Sequence, residues 1–331
     1  MTIVPGKGKT GNGVRAGSVA LSMLSIPINV FVLQTLADGS TSLTDLRRAA
    51  GSPPQTTMRS YLNGLSESGV LVRRRRTSFP GSLDFDLTPA GQDLLNVTAS
   101  LQSWLAEAPE GPIEIGSVAA KSAIKALVEG WSTSLLRALA ARPLSLTELN
   151  RLVPNISYPA LERRLAAMRL AGQIEAQEQQ RRGRPYGVTP WLRLAVGPVL
   201  AAVRWEHSHA APEAAPLGRL DVETAFLLSI PALRLPADLS GFCRLAVRFS
   251  AAGGSRLAGV LIHVENGTVA ACASRLRGNA TAWASGSVSA WLTTLVEGSS
   301  GQLEIGGDSH LATAVLEALH ASLFRRDVAS A

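Results

Sequence analysis

The side chains with chemistry to offer are arginines, and they come in groups. Arg73-Arg74-Arg75-Arg76 is the densest charge run in the chain, and Arg181-Arg182-Gly183-Arg184 is a second. A guanidinium forks onto a phosphate or a guanine edge and stays charged at any ordinary pH. Arg163 and Arg164 stand in a third setting, inside an apolar pattern of helical period. The formal charge of +7 is unevenly spread. Residues 1–110 hold 10 Lys/Arg against 8 Asp/Glu, residues 111–207 hold 13 against 7, and residues 208–331 hold 9 against 10. A basic excess centred on the middle of the chain attracts phosphate backbones or anionic surfaces. Arg-rich codon usage would give the same total, so position has to decide.

Other chemistries do not assemble. His207 and His209, beside Glu206, are two residues apart and share no helical face, and His310 and His320 fall on different faces. There is no Gly-x-Ser-x-Gly, no carboxylate pair and no metal-ligand spacing, so neither catalysis, a cofactor nor a metal is expected. Gly8-Lys9-Thr10 imitates the end of a phosphate-binding loop, but Ile3 stands where that loop needs Gly. Cys243 and Cys272, the only cysteines, have no paired spacing and suit a reducing cytoplasm. Lys7, Lys9 and Arg15 ahead of the apolar run from Val19 to Ala37 imitate a signal peptide or membrane anchor. That run contains Ser22, Ser25, Pro27, Asn29 and Gln34. Its Ala16, Ala20, Leu21 and Leu24 return as Ala119, Ala123, Ile124 and Leu127, deep in the chain where no signal can lie. Paired helices are expected there, and no membrane partner.

That recurrence is general. Ser42-Leu43-Thr44-Asp45-Leu46-Arg47-Arg48 comes back as Ser145-Leu146-Thr147-Glu148-Leu149-Asn150-Arg151, an offset of 103 that also carries Leu33, Leu36, Leu62 and Gly69 onto Leu136, Leu139, Leu165 and Gly172. The offset then slips by two, taking Thr88-Pro89 to Thr189-Pro190 and Trp104 to Trp205. A repeat this long is a domain written twice, with the length change in a loop.

In the second copy, Trp131, Leu135, Leu136 and Leu139 form one helical stripe that Pro143 ends. Ser145 and Glu148 make a capping box for a short helix faced by Leu146, Leu149 and Leu152. After Val153-Pro154-Asn155-Ile156, Ser157 caps a third helix with stripe Leu161, Leu165 and Met168, closed by Gly172. Gln173–Gln179 alternates, the basic tip follows, and Tyr186-Gly187-Val188 returns. From Pro190 one long helix is expected through Leu192, Val196, Val199 and Val203 to Trp205. A helix-turn-helix followed by a hairpin with a basic tip is a winged helix. Its second helix enters the major groove of DNA and its wing lies along the backbone or minor groove. On that frame Arg163 points away from the stripe toward bases, with Arg164 beside it. Ser157 and Tyr158 meet phosphate at the leading end, and Arg181, Arg182 and Arg184 sit on the wing. In the first copy the corresponding helix runs from Thr56 to Ser68 and offers Thr56, Thr57 and Ser60, with Asn63 and Gly64, outward. The strand Val70–Arg76 carries Arg73, Arg74, Arg75 and Arg76, the wing turns at Pro80-Gly81, and Leu83–Leu87 returns.

The second copy resembles the HxlR type of winged-helix transcription regulator. The resemblance rests on Trp131, Leu146-Thr147-Glu148-Leu149, Val153-Pro154-Asn155-Ile156-Ser157, Leu161, Arg164-Leu165, Tyr186-x-Val188-Thr189-Pro190 and Trp205. That family commonly has Thr-x-x-Gly after the returning strand. The first copy keeps it as Thr88-Pro89-Ala90-Gly91, whereas the second has Thr189-Pro190-Trp191-Leu192. The first copy departs in its turn, Gly51-Ser52-Pro53-Pro54, which assigns base reading to the second copy first.

Ala210–Pro216 reads as a linker, and the periodicity changes beyond it. Strands are expected at Phe242–Phe249, Leu257–Val264, Thr268–Ser274 and Thr281–Ser285, with Asn266-Gly267 turning the second into the third. A helix starts at Ser287 and stops at Gly298, Leu303–Ile305 is a short strand, and a final helix covers Ser309–Phe324. The run Gly286-Ser287-x5-Leu292-x2-Leu295-x2-Gly298, then Leu303-x-Ile305-x-Gly307-Asp308, resembles the sterol-carrier-protein (SCP-type) lipid-binding fold. The resemblance implies an apolar ligand lined by Val260, Ile262, Val269, Trp283, Trp291 and Leu295. Residues at such spacings also make an ordinary core, and a dimerisation role with a second copy of the chain is equally physical.

The fold class expected is mainly α with α+β. It comprises two tandem winged helix-turn-helix domains (14–108 and 117–209), a linker (210–216), and an SCP-like sheet-and-helix domain (217–325). The function expected is a cytoplasmic, sequence-specific DNA-binding transcription regulator. Its third domain senses an apolar small molecule or forms a homodimer. The alternative is a non-enzymatic ligand carrier or protein-interaction scaffold whose winged helices do not bind DNA.

Overall fold

A computed structural model describes residues 18–324, except 40, 76–82, 133–134, 154–155, 178–183, 210–218, 252–253 and 275. The N-terminal apolar run is two helices, α1 (Val19–Leu24) and α2 (Pro27–Ala37). Ser18 caps the first, and Pro27 opens the second where its missing N–H costs nothing. The chain continues through β1 (Thr41–Ser42), α3 (Leu43–Ala49), α4 (Gln55–Glu67), β2 (Leu71–Arg75), β3 (Leu83–Leu87) and α5 (Pro89–Ala106). The strands form an antiparallel sheet in the order β1-β3-β2. Thr88 caps α5 through Gly91 N–H at 3.1 Å and donates to the Gly69 carbonyl at 2.6 Å. A Cβ on Gly91 would lie 2.3 Å from the Val70 carbonyl, so only glycine lets α5 start against the strand.

The second run of elements is α6 (Val118–Ser132), α7 (Leu135–Ala141), α8 (Leu146–Leu152), α9 (Tyr158–Leu170), β4 (Ile174–Ala176), β5 (Tyr186–Val188), α10 (Pro190–Leu194) and α11 (Val196–His209). Contacts recur along with residue types. Thr189 caps α10 through Leu192 N–H at 3.2 Å and donates to Gly172 at 2.9 Å, as Thr88 does at its own site. The bridge Leu144–Tyr186 repeats the pair Thr41–Phe85. The closing helix differs from expectation: it breaks at Ala195 into α10 and α11. Pro198 has no N–H for the Leu194 carbonyl, so the chain tightens there, with Ala195 N–H on Leu192. Gly197 then brings α11 close to the end of the chain, since a Cβ there would meet the Leu323 carbonyl at 2.7 Å. One continuous core runs from Leu21 in α1 to Trp205 in α11, so the two copies are packed into a single body.

The capping box of α8 is complete, with Ser145 N–H on the Glu148 carboxylate at 2.9 Å and Glu148 N–H on Ser145 Oγ at 3.3 Å. The Ser145 backbone N–H, its hydroxyl and then Arg142 hold the Glu148 carboxyl down at about 2. A carboxyl depressed in the folded state contributes stability that is full above its ordinary value of 4.5 and lost as pH falls toward 2. An NMR titration of the Glu148 side chain should show the low value, and Ser145→Ala should move it upward. Titration near 4.5 in the parent would mean that the box is open in solution.

Beyond residues 210–218 lies α12 (Arg219–Ser229), which the sequence reading passed over. Every residue from Asp221 to Ile230 is buried, and a helix buried all round shows no amphipathic period. It is wedged between α7 and α10 on one side and the five-stranded sheet that follows it in the chain on the other. Its polar groups are partnered across the junction. Arg137 reaches Glu223 at 2.6 Å, Trp131 Nε1 donates to Asp221 at 3.2 Å, and Arg193 donates to the Leu228 carbonyl at 2.8 Å near the helix end. The sheet contains β6 (Gly241–Ala251), β7 (Gly254–Glu265), β8 (Thr268–Ala273), β9 (Ala282–Ser287) and β10 (Glu304–Gly307), in the order β10-β9-β6-β7-β8. Only β6 and β9 run parallel. Asn266 (φ 50) and Gly267 (φ 71) form the tight turn between β7 and β8. Ser287 caps α13 (Val288–Glu297), left-handed Gly298 ends it, and α14 (Ser309–Phe324) closes the domain. Among the described residues no helix is long and apolar enough to cross a membrane.

Candidate nucleic-acid interface

The turn between α3 and α4 uses two left-handed residues, Gly51 (φ 79) and Ser52 (φ 58). Ser52 N–H bonds the Arg47 carbonyl at 2.6 Å, and Arg47 Nε bonds the Pro53 carbonyl at 3.0 Å, which fixes the angle at which α4 leaves. Met58, Leu62 and Leu65 anchor α4 in the core, leaving Gln55, Thr56, Arg59, Ser60 and Asn63 exposed. Thr56 and Ser60 therefore face solvent as expected, whereas Thr57 is half-buried. Arg59 was missed. The same hundred-degree step that picks out Arg163 sets Arg59 beside Ser60, where it is exposed and carries a guanidinium able to fork onto a base edge.

In the second copy Leu161, Leu165 and Met168 are buried, and Tyr158, Glu162 and Arg163 are exposed, with Arg164 half-buried. Ser157 occupies the cap position of α9, but its hydroxyl makes no capping bond. The start of α4 at Pro54 likewise has no side-chain cap. Helices α3 and α8 are capped, by Ser42 and by Ser145 with Glu148, while the first-turn N–H groups of α4 and α9 receive no bond from the side chains of their N-cap residues Pro54 and Ser157. Such N–H groups are suited to phosphate.

The arginines of the first hairpin are less free than their run suggests. Arg74 Nε pairs with Asp86 on β3 at 2.7 Å, and Arg73 donates to Asn63 Oδ1 of α4. Alternation along β2 causes this: Arg74 shares a face with Asp84 and Asp86, and Arg73 falls on the side of α4. Both guanidiniums remain exposed. Arg75 lies in β2, Arg184 is exposed at the foot of the second hairpin, and Arg76, Arg181, Arg182 and the Pro80-Gly81 turn lie outside the described residues.

The copies meet through tryptophans. Trp104 and Trp191 stack with ring centroids 4.5 Å apart and planes within 8°. Trp104 Nε1 donates to the Trp191 carbonyl at 3.0 Å, and Trp191 Nε1 donates to the Trp104 carbonyl at 2.7 Å. Trp205 Nε1 donates to the Ala90 carbonyl at 2.7 Å. Trp205 holds the place in the second copy that Trp104 holds in the first, and Trp191 holds the place of Ala90. Exchanging the copies thus turns one cross-copy bond into the other.

The lining expected for an apolar ligand divides. Val260 and Ile262 are fully buried beneath the helices that cover the sheet, and Val269 is half-buried on the edge strand β8. Trp283 is on the wrong face: Ala282 and Ala284 take the core side of β9, and Trp283 packs on Gly306 on the other. Trp291 and Leu295 do line a cleft, but at the junction between domains, with Trp131, Val203, Phe226 and Val247. Its volume is about 40 Å³. Burial pushes the Cys243 and Cys272 thiols up to about 12, which disfavours the thiolate at both.

Residues 28–111 match the family model described as HxlR-like helix-turn-helix. The chain is similar to the HTH-type transcriptional regulator YtfH of Escherichia coli, 29% identical over 76 residues that make up 23% of this chain and 60% of that protein. The Shigella flexneri YtfH matches to the same extent. The chain thus spans 60% of the length of these curated relatives. Two solved structures are also similar. A MarR-family transcriptional regulator from Enterococcus faecalis is 24% identical with a TM-score of 0.25, covering 26% of this chain and 78% of that one. The YtfH regulator from Salmonella typhimurium is 28% identical with a TM-score of 0.24, covering 26% and 76%. The family model thus puts an HxlR-like helix-turn-helix domain at residues 28–111. The match falls on the first copy, although the motifs quoted from the sequence pointed to the second. Gly91, which the second copy lacks, belongs to the matched part.

Proposed function

We propose that the chain is a cytoplasmic DNA-binding transcription regulator built from two tandem winged helix-turn-helix units. In this reading α4 and α9 are its reading helices. The observation that carries it is the family match on residues 28–111, combined with the exposed face Thr56, Arg59, Ser60 and Asn63 on the helix such a domain inserts into the major groove. Arg59 and Arg163 fork onto guanine, and Ser157 and Tyr158 with the wing residues Arg73, Arg74, Arg75, Arg76, Arg181, Arg182 and Arg184 hold the backbone. Thr56, Thr57, Ser60 and Arg164 complete the contact surface.

The third domain, SCP-like in this reading, is the sensory or oligomerising part. The junction cleft of about 40 Å³ has room for little more than one water. A groove of about 450 Å³ between α13 and α14, bounded by Leu235, Pro236, Leu316 and His320, is the roomier place for an effector.

The test is selectivity. Arg163→Ala should cost about 1–3 kcal/mol on a preferred duplex and relax the preference at one base position. Binding of every sequence exactly as tightly as the parent would show that the wrong face of α9 was assigned.

A further inference from the structure

The two reading helices are held in equivalent places yet carry opposite chemistry. The offset of 103 that matches Leu62 to Leu165 sets Arg59 against Glu162, Ser60 against Arg163 and Asn63 against Ala166. All six are exposed. A guanidinium reads the two acceptors of guanine, whereas a carboxylate accepts from the cytosine amine and repels those same guanine acceptors. At matched positions the helices therefore present different groups, with the guanine-reading arginine displaced by one residue and a carboxylate beside it in the second copy, so they do not read the same run of bases. The two copies are nonetheless related as the halves of a symmetric dimer are. The bonds Trp104 to Trp191 and Trp205 to Ala90 interchange when the copies are exchanged, and both copies share one core.

We propose that a single chain occupies a whole DNA site by itself, and that this site consists of two inverted half-sites of different sequence. A dimer of identical subunits imposes a palindrome because each half meets the same helix. Here the second subunit is written into the same chain and has diverged at its reading face. A perfect palindrome then puts one half against the wrong helix, at about 1–3 kcal/mol for each mismatched pair. This inference rests on the DNA-binding reading above and adds stoichiometry and asymmetry to it.

The experiment selects duplexes from a random library with the full chain, then weighs the complex by native mass spectrometry. Each half of the selected site is next copied in inverted orientation to make two palindromes. The expected result is one chain per duplex, two dissimilar halves, and binding to both palindromes at least about tenfold weaker. Arg59→Ala should relax selectivity in one half only, and Arg163→Ala in the other only. Both residues are exposed, so the variants fold. A palindromic consensus with two chains per duplex, or both substitutions acting on the same half, overturns the inference and leaves the DNA-binding reading intact. Recovery of no duplex overturns both.

Discussion

Trp104→Ala should lower the unfolding free energy by about 3–5 kcal/mol, a large share of what a domain possesses. Trp104 has no exposed surface. Its removal empties a space between α5 and α10, loses the stack at 4.5 Å, and leaves Trp191 without the ring it packs against. It also takes the donor from the Trp191 carbonyl, which is buried at the meeting of the copies. Trp104→Phe keeps an aromatic ring and should cost less, about half as much, since the remaining loss is one hydrogen bond and part of the packing. Urea unfolding followed by circular dichroism measures both. Because the two rings pack on each other and exchange hydrogen bonds, a double substitution with Trp191→Ala should cost much less than the sum of the singles. A loss below about 1 kcal/mol for Trp104→Ala would mean that the copies do not dock through this pair in solution.

Locally coded features were legible in the sequence. Ser145 with Glu148 and Ser287 cap the helices they were read to cap, whereas Ser157 makes no capping bond, and Gly298 ends α13 in the left-handed region. The Asn266-Gly267 turn and the flanking strands follow from side chains within a few residues of one another. What tertiary packing decides was not legible. Helix α12 carries Asp221, Glu223 and Thr224 among apolar residues, and partners from across the junction, Trp131 on Asp221 and Arg137 on Glu223, help to make that burial tolerable. The side of β9 that Trp283 occupies depends on register with β6 and β10, which no local pattern specifies.

The candidate site shows the same division. Arg163 stands where helical geometry puts it, and Arg59 was within reach of the same arithmetic. The pairing of Arg74 with Asp86 required knowledge of the strand alignment. The run of four arginines overstated the free charge on that wing, because a neighbouring strand supplies carboxylates to the same face.

The account stands or falls on duplex DNA, and the direct measurement is a titration of the full chain with a library-selected duplex across salt concentrations. If α4, α9 and their hairpins bind as proposed they neutralise several phosphates, and each neutralised phosphate adds about 0.9 to the slope of log affinity against log salt. For about six such contacts the affinity should fall by about three orders of magnitude between 50 and 200 mM salt. Replacing Arg73 and Arg184 together with Ala should reduce the slope by about two. A selected duplex held tightly at low salt and released steeply as salt rises is the predicted result. No duplex held at low salt, or a binding curve flat across that range, would contradict the account and favour the carrier or scaffold reading.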